Sequence, residues 1–80
     1  MITRDEIVEF LGDALFADGF DDCIIGFTDD GVVAYDRVGV IETLVSEHGM
    51  ALDEAEEYFC FNIAGAYVGP KTPIFIQCSL

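Results

Sequence analysis

The order of periodicities along this chain predicts an α+β fold, and three observations carry the prediction. A capping signal opens a helical apolar pattern near the N-terminus, two period-two runs flank Asp29-Asp30-Gly31, and two further helical patterns lead to a short apolar run at residues 73–77. The predicted order is α-β-β-α-α-β. A three-stranded antiparallel sheet with helices packed on it is the simplest arrangement that buries these stripes. The chain has 80 residues and no linker, repeat or low-complexity segment, so one domain over residues 1–80 is expected. A domain of that size buries about 60–65% of the surface its unfolded chain exposes, enough for one modest core.

Thr3-Arg4-Asp5-Glu6 fits a capping box, in which the Thr3 hydroxyl and the Glu6 carboxylate each satisfy a free backbone N–H at a helix start. On a helical wheel Ile7, Val8, Leu11, Ala14 and Leu15 share one side, while Asp5, Glu6, Glu9 and Asp13 share the other. Gly19 is the expected stop, because a residue without a Cβ enters the left-handed region cheaply. Residues 22–36 then alternate around Asp29-Asp30-Gly31, and Asp-Gly suits the positive φ angles of a tight hairpin turn. Asp36 reads as the N-cap of a second helix with Val38, Ile41, Leu44 and Val45 on one face and His48-Gly49 at its end. A third helix runs from about Ala51 or Leu52 to Ala64 or beyond, with Leu52, Ala55, Phe59, Ile63 and Ala66 inward and Asp53, Glu54 and Glu57 outward. Gly65, Gly69 and Pro70 break the pattern, and Pro73 stands where a last strand can begin without needing a ladder N–H.

Sixteen Asp and Glu face three Lys and Arg, a net charge of −13. Such an imbalance destabilises the compact state by self-repulsion and speaks to solubility or to a strongly basic partner. With 52% apolar residues the chain is no disordered acidic tail. No basic n-region precedes an apolar run, and no stretch approaches the ~20 apolar residues of a membrane span, so a cytoplasmic protein is expected. Cys23, Cys60 and Cys78 lack a CxxC pair and are expected to be buried reduced thiols.

Catalytic, metal and cofactor chemistry finds no motif. Asp29-Asp30-Gly31 lacks the alternating oxygen ligands and closing Glu of a calcium loop. His48 is the lone imidazole, at a helix end, and no nucleophile motif surrounds any thiol. No Gly-rich phosphate loop is present, so no enzyme is expected. Charge patterning points elsewhere. Asp5, Glu9 and Asp13 lie four residues apart, so on a helix they would rise by about 6 Å per step along one face. Such a ladder can imitate a nucleic-acid backbone before a groove of Lys and Arg. Asp21, Asp22, Asp29 and Asp30 add loop charge, Asp53, Glu54 and Glu57 a second helical patch, and Phe61 an aromatic anchor beside it. These eleven residues, with Glu6 as the twelfth, are read as partner-binding. The alternative is that the acidity serves solubility or high-salt adaptation in a small accessory or interaction protein.

Between Val33 and Ile76, Val33-Ala34-Tyr35-Asp36, Gly49-Met50-Ala51-Leu52-Asp53-Glu54-Ala55-Glu56-Glu57-Tyr58-Phe59, Phe61-Asn62, Gly65-Ala66-Tyr67-Val68-Gly69 and Thr72-Pro73-Ile74-Phe75 resemble a family of small acidic bacteriophage and prophage proteins. The resemblance covers a little over half of the chain. In that family a hydroxyl residue commonly caps the third helix where this chain has Ala51, so Asp53 with Glu56 is the substitute cap to expect. The resemblance implies an anti-CRISPR inhibitor of a type I-C surveillance complex that works in the host cell cytoplasm. With the charge pattern it makes a basic protein surface of that complex the expected partner; no direct nucleic-acid or membrane binding is expected, and a monomer or weak homodimer is the expected form.

Overall fold

Thr3 caps the first helix as its sequence requires. Its hydroxyl accepts from the Glu6 N–H at 3.2 Å, and Glu6 Oε1 accepts from the Thr3 N–H at 2.9 Å. The computed structural model describes residues 2–78. Helix α1 spans Arg4–Leu11, strands β1 and β2 span Ile24–Phe27 and Val33–Asp36, helix α2 Arg37–His48, helix α3 Leu52–Tyr58, and strand β3 Ile74–Ile76. A 3-10 turn at Asp21–Cys23 precedes β1, and a π-helical turn at Phe59–Ile63 extends α3.

The α+β order holds, but the sheet is mixed. Strand β2 lies in the centre, antiparallel to β1 and parallel to β3, with Ala34, Tyr35 and Asp36 opposite Ile74, Phe75 and Ile76. The expected all-antiparallel sheet fails for a geometric reason. The connection from β2 to β3 contains α2, α3, the π turn and the segment 64–73, a crossover long enough to bring the chain back for a parallel pairing. The β1–β2 hairpin forms where Asp29-Asp30-Gly31 predicts it, though through a longer loop than a two-residue turn. Thr28 N–H donates to Val32 O at 2.8 Å, Gly31 N–H to Thr28 O at 2.9 Å, and Gly31 alone of the loop takes positive φ, at 84°. A bulge between Ile24 and Gly26 offsets the register and leaves Ile25 partly exposed.

Helix α1 ends at Gly12, not Gly19. Gly12 turns to φ 75° and its N–H closes on Val8 O at 2.8 Å. The helical spacing of Ala14 and Leu15 is therefore not used, and Val8 and Leu15 are exposed where an inward face was expected. Residues 14–17 are held instead by long-range contacts: the Ala17 N–H donates to the Tyr35 hydroxyl at 2.7 Å, and the Arg4 guanidinium lies 4.4 Å from the centre of the Phe16 ring. Tyr35 is fully buried at the middle of the core, beside Ile7, Val33, Val40 and Leu44, and its ring meets Phe75 at 5.5 Å. Burial pushes its phenol up, against the hydrogen bond from Ala17, which lowers it.

Helix α2 starts on Asp36, whose Oδ1 accepts from the Val38 N–H at 3.1 Å, and ends on Gly49 in the left-handed conformation. It buries Val40, Ile41 and Leu44, a face rotated from the expected one, and Val45 is exposed. Gly39 explains the rotation, because a Cβ there would stand 3.2 Å from Cys23 Sγ, so the 3-10 turn packs directly on the helix backbone. Helix α3 begins at Leu52 with Ala51 as its N-cap. Glu54 Oε1 accepts from the Ala51 N–H at 3.4 Å, and the substitute cap at Asp53 with Glu56 does not form. Ala55 and Phe59 point inward as expected, while Leu52 and Ala66 are exposed. Phe59 meets Phe75 edge-on at 5.1 Å. Among the three thiols Cys23 is buried, and Cys60 and Cys78 are exposed, against the expectation that all would be buried.

Candidate partner-binding surface

The acidic residues singled out by the sequence fall into separate groups. On α1, Asp5 and Glu9 occupy one helix, but Asp13 lies beyond its end in an irregular bend, so the three-step ladder is not formed. The Asp13 carbonyl instead accepts from Lys71 Nζ at 3.4 Å. Asp5 joins Asp21 and Asp22 around a small depression of about 240 Å³ with Arg4 at its edge. There Arg4 Nη1 stands 3.4 Å from Asp18 Oδ1 and 3.3 Å from Asp21 Oδ1.

Glu6 and Glu9 face a different way, lining a shallow groove of about 530 Å³ with Ile2, Phe10 and Phe27. Phe10 is largely exposed and its ring meets that of Phe27 at 5.4 Å with a 40° tilt. It carries no role in the sequence reading, yet the signal was present: Phe10 stands four residues after Glu6 and next to Glu9, a large apolar residue on the charged side of an amphipathic helix. Asp29 and Asp30 sit exposed at the hairpin tip, apart from both groups.

Helix α3 and its π turn bring the remaining candidates together. Asp53, Glu54 and Glu57 line one open groove of about 400 Å³ with Tyr58, Phe61 and Asn62. Phe61 is 77% exposed, beside a Tyr58 that is 42% exposed. The π turn is closed by the Ala64 N–H donating to Phe59 O at 2.8 Å, and within this turn Phe59 faces the core while Phe61 faces outward. Single π turns recur at functional positions because they re-aim side chains that an unbroken α-helix would present differently.

Electrostatically the surface is uncompensated. Every Asp and Glu is exposed except Asp36, which is half-buried in its capping role. Among the described residues the ion pairs are the two made by Arg4, so no basic side chain lies within salt-bridge distance of Asp53, Glu54 or Glu57. Among the described residues no helix is long and apolar enough to cross a membrane, and no three His, Cys, Asp or Glu side chains gather into a metal-binding group. Cys23 Sγ rests 3.7 Å from Thr43 Oγ1, and burial raises its thiol, which keeps it protonated at neutral pH. Compared with protein-family models, curated proteins and solved structures, the chain matches none.

Proposed function

We propose that this chain is a phage-encoded anti-CRISPR-type inhibitor that docks through its carboxylates on a basic nucleic-acid-binding surface of a type I surveillance complex. By occupying the path of target DNA it blocks DNA binding. The observation that carries this reading is a net charge of −13 displayed almost wholly on the outside, with the ion pairs among the described residues confined to the Arg4 cluster. A groove that binds phosphates through Lys and Arg attracts such a surface by the same salt-dependent electrostatics that hold its nucleic acid. Like charge keeps the protein itself off DNA. It acts in the host cytoplasm as a monomer or weak homodimer and needs no catalytic group or cofactor.

A competition assay tests the proposal: the protein is added to a type I-C surveillance complex with labelled target DNA over a range of salt. Displacement of DNA that weakens as salt rises supports it; normal DNA binding at saturating protein overturns it. A second reading, an accessory protein whose acidity serves solubility, is favoured by the presence of carboxylates on every helix and at the hairpin tip. It predicts that neutralising any one acidic group leaves partner binding unchanged.

A further inference from the structure

This chain shows twice how it holds a guanidinium. Arg4 lies over the Phe16 ring while its Nη1 faces the carboxylates of Asp18 and Asp21, and the Arg37 guanidinium lies 5.2 Å from the centre of the Phe59 ring with Nη1 donating to Gln77 Oε1 at 3.2 Å. The elements are the same each time: an aromatic face for the flat cation and oxygen acceptors at its edge. The groove on α3 and its π turn repeats them on the outer surface. Phe61 and Tyr58 supply aromatic rings, Glu54 and Glu57 supply carboxylates, and none of the four carries an ion pair or ring contact among the described residues. An exposed Phe in a groove shared with three carboxylates is poorly matched to water and well matched to a cation with an apolar, planar face.

We infer that this groove binds an arginine side chain of a basic protein partner, its guanidinium stacked on Phe61 and paired with Glu54 or Glu57. The inference rests on the docking reading above and names the face that docks. Charge complementarity fixes the occupant: a second copy of this chain would bring the same negative charge to the groove, whereas an arginine-bearing segment brings both the charge and the planar surface. Arginine is preferred to lysine because a compact, strongly hydrated ammonium stacks less well and offers no bidentate fork. The grooves differ in this respect. Around Phe10 the ring is already engaged by Phe27, while Phe61 has no such ring partner among the described residues.

The test is a titration of the isotope-labelled full chain with oligoarginine and oligolysine peptides of equal length, read by amide chemical shifts. Shifts should concentrate on residues 53–62 rather than on Asp29 and Asp30, and oligoarginine should bind several-fold more tightly than oligolysine. Phe61→Ala should weaken oligoarginine binding about two- to five-fold, the range of an exposed cation–π contact, while Phe61→Tyr retains it. Equal affinity for the two peptides, shifts spread evenly over the acidic surface, or an unchanged Phe61→Ala overturns the inference. The competition assay with the surveillance complex separates the two claims. If wild type displaces DNA and Phe61→Ala does so equally well, the groove is wrong and the docking reading stands. If wild type fails to displace DNA while the arginine preference holds, the docking reading is wrong and the groove stands.

Discussion

Replacing Tyr35 by Phe removes one oxygen from the centre of the core and tests how the first third of the chain is held. The ring is fully buried and packs on Phe75, so its apolar contacts survive the change. What is lost is the acceptor for the Ala17 N–H, a bond of 2.7 Å that joins residues eighteen positions apart. An N–H left without its partner costs about 1–3 kcal/mol where it is buried, and the half-buried setting of Ala17 places the expected loss near the lower end, about 1–2 kcal/mol. For a domain of this length that corresponds to a melting temperature lower by about 5–15 °C. Thermal unfolding followed by circular dichroism measures the loss. Amide exchange localises it, with the Ala17 N–H exchanging faster in the variant while the amides of β1 and β2 keep their relative protection. A variant within about 0.3 kcal/mol of wild type, well below the smallest cost expected for an orphaned donor, would refute the view that this bond fixes the 14–17 segment.

Three further outcomes follow from particular residues. Added salt should raise the melting temperature, because screening relieves repulsion among sixteen carboxylates, while the same salt should weaken the proposed complex with a basic partner; a melting temperature that falls with salt contradicts the first half. Gly12→Ala should destabilise by about 1–2 kcal/mol through backbone strain alone, since φ is 75° and no atom lies within 4 Å of the added Cβ, and denaturant unfolding reads it directly. The Thr3 N–H and then the Thr3 hydroxyl hold the Glu6 carboxyl below its ordinary value of 4.5. A depressed folded value means the cap contributes fully above that ordinary value and is lost as pH falls through the lower one, so the Thr3 and Glu6 amide resonances should titrate together with a midpoint below 4.5.

Several local signals in this sequence stand where they were expected, and the non-local ones were not legible. The capping box at Thr3, the Asp36 cap, the hairpin at Asp29-Asp30-Gly31 and the inward Ala55 and Phe59 are all set by neighbours within a few positions, and each stands where the residues indicate. The end of α1 could not be read this way. Ile7, Leu11, Ala14 and Leu15 keep helical spacing across Gly12, yet the helix closes on Gly12 at φ 75°, and Phe16 and Ala17 then meet Arg4 and Tyr35, contacts that periodicity does not encode. Strand direction is equally silent: Ile74-Phe75-Ile76 alternates in the same way whether it runs with β2 or against it. The candidate site was legible in composition and not in grouping. Asp53, Glu54, Glu57 and Phe61 could be assembled from helical spacing, whereas the loss of Asp13 from the α1 ladder depended on the same unread helix end.

The three basic residues show where the chain spends its few cations. Arg4 clamps Asp18 and Asp21 and covers Phe16, Arg37 covers Phe59 and reaches Gln77, and Lys71 holds the Asp13 carbonyl, with Nζ 3.4 Å from where a Gly31 Cβ would stand. Each ties together segments far apart in sequence, so each serves tertiary structure. None is placed to neutralise Asp53, Glu54, Glu57, Glu42 or Glu47 on the helices, or Asp29 and Asp30 at the tip. Lysines interspersed among the acids would relieve the repulsion that opposes folding, and none of the three basic residues is used in that way. The cations are instead withheld from the outer faces, above all from the groove where two aromatic rings stand exposed among carboxylates. That pairing of retained repulsion with exposed rings is costly to an isolated domain, and a cationic partner that neutralises the carboxylates and covers the rings offsets both costs at one site.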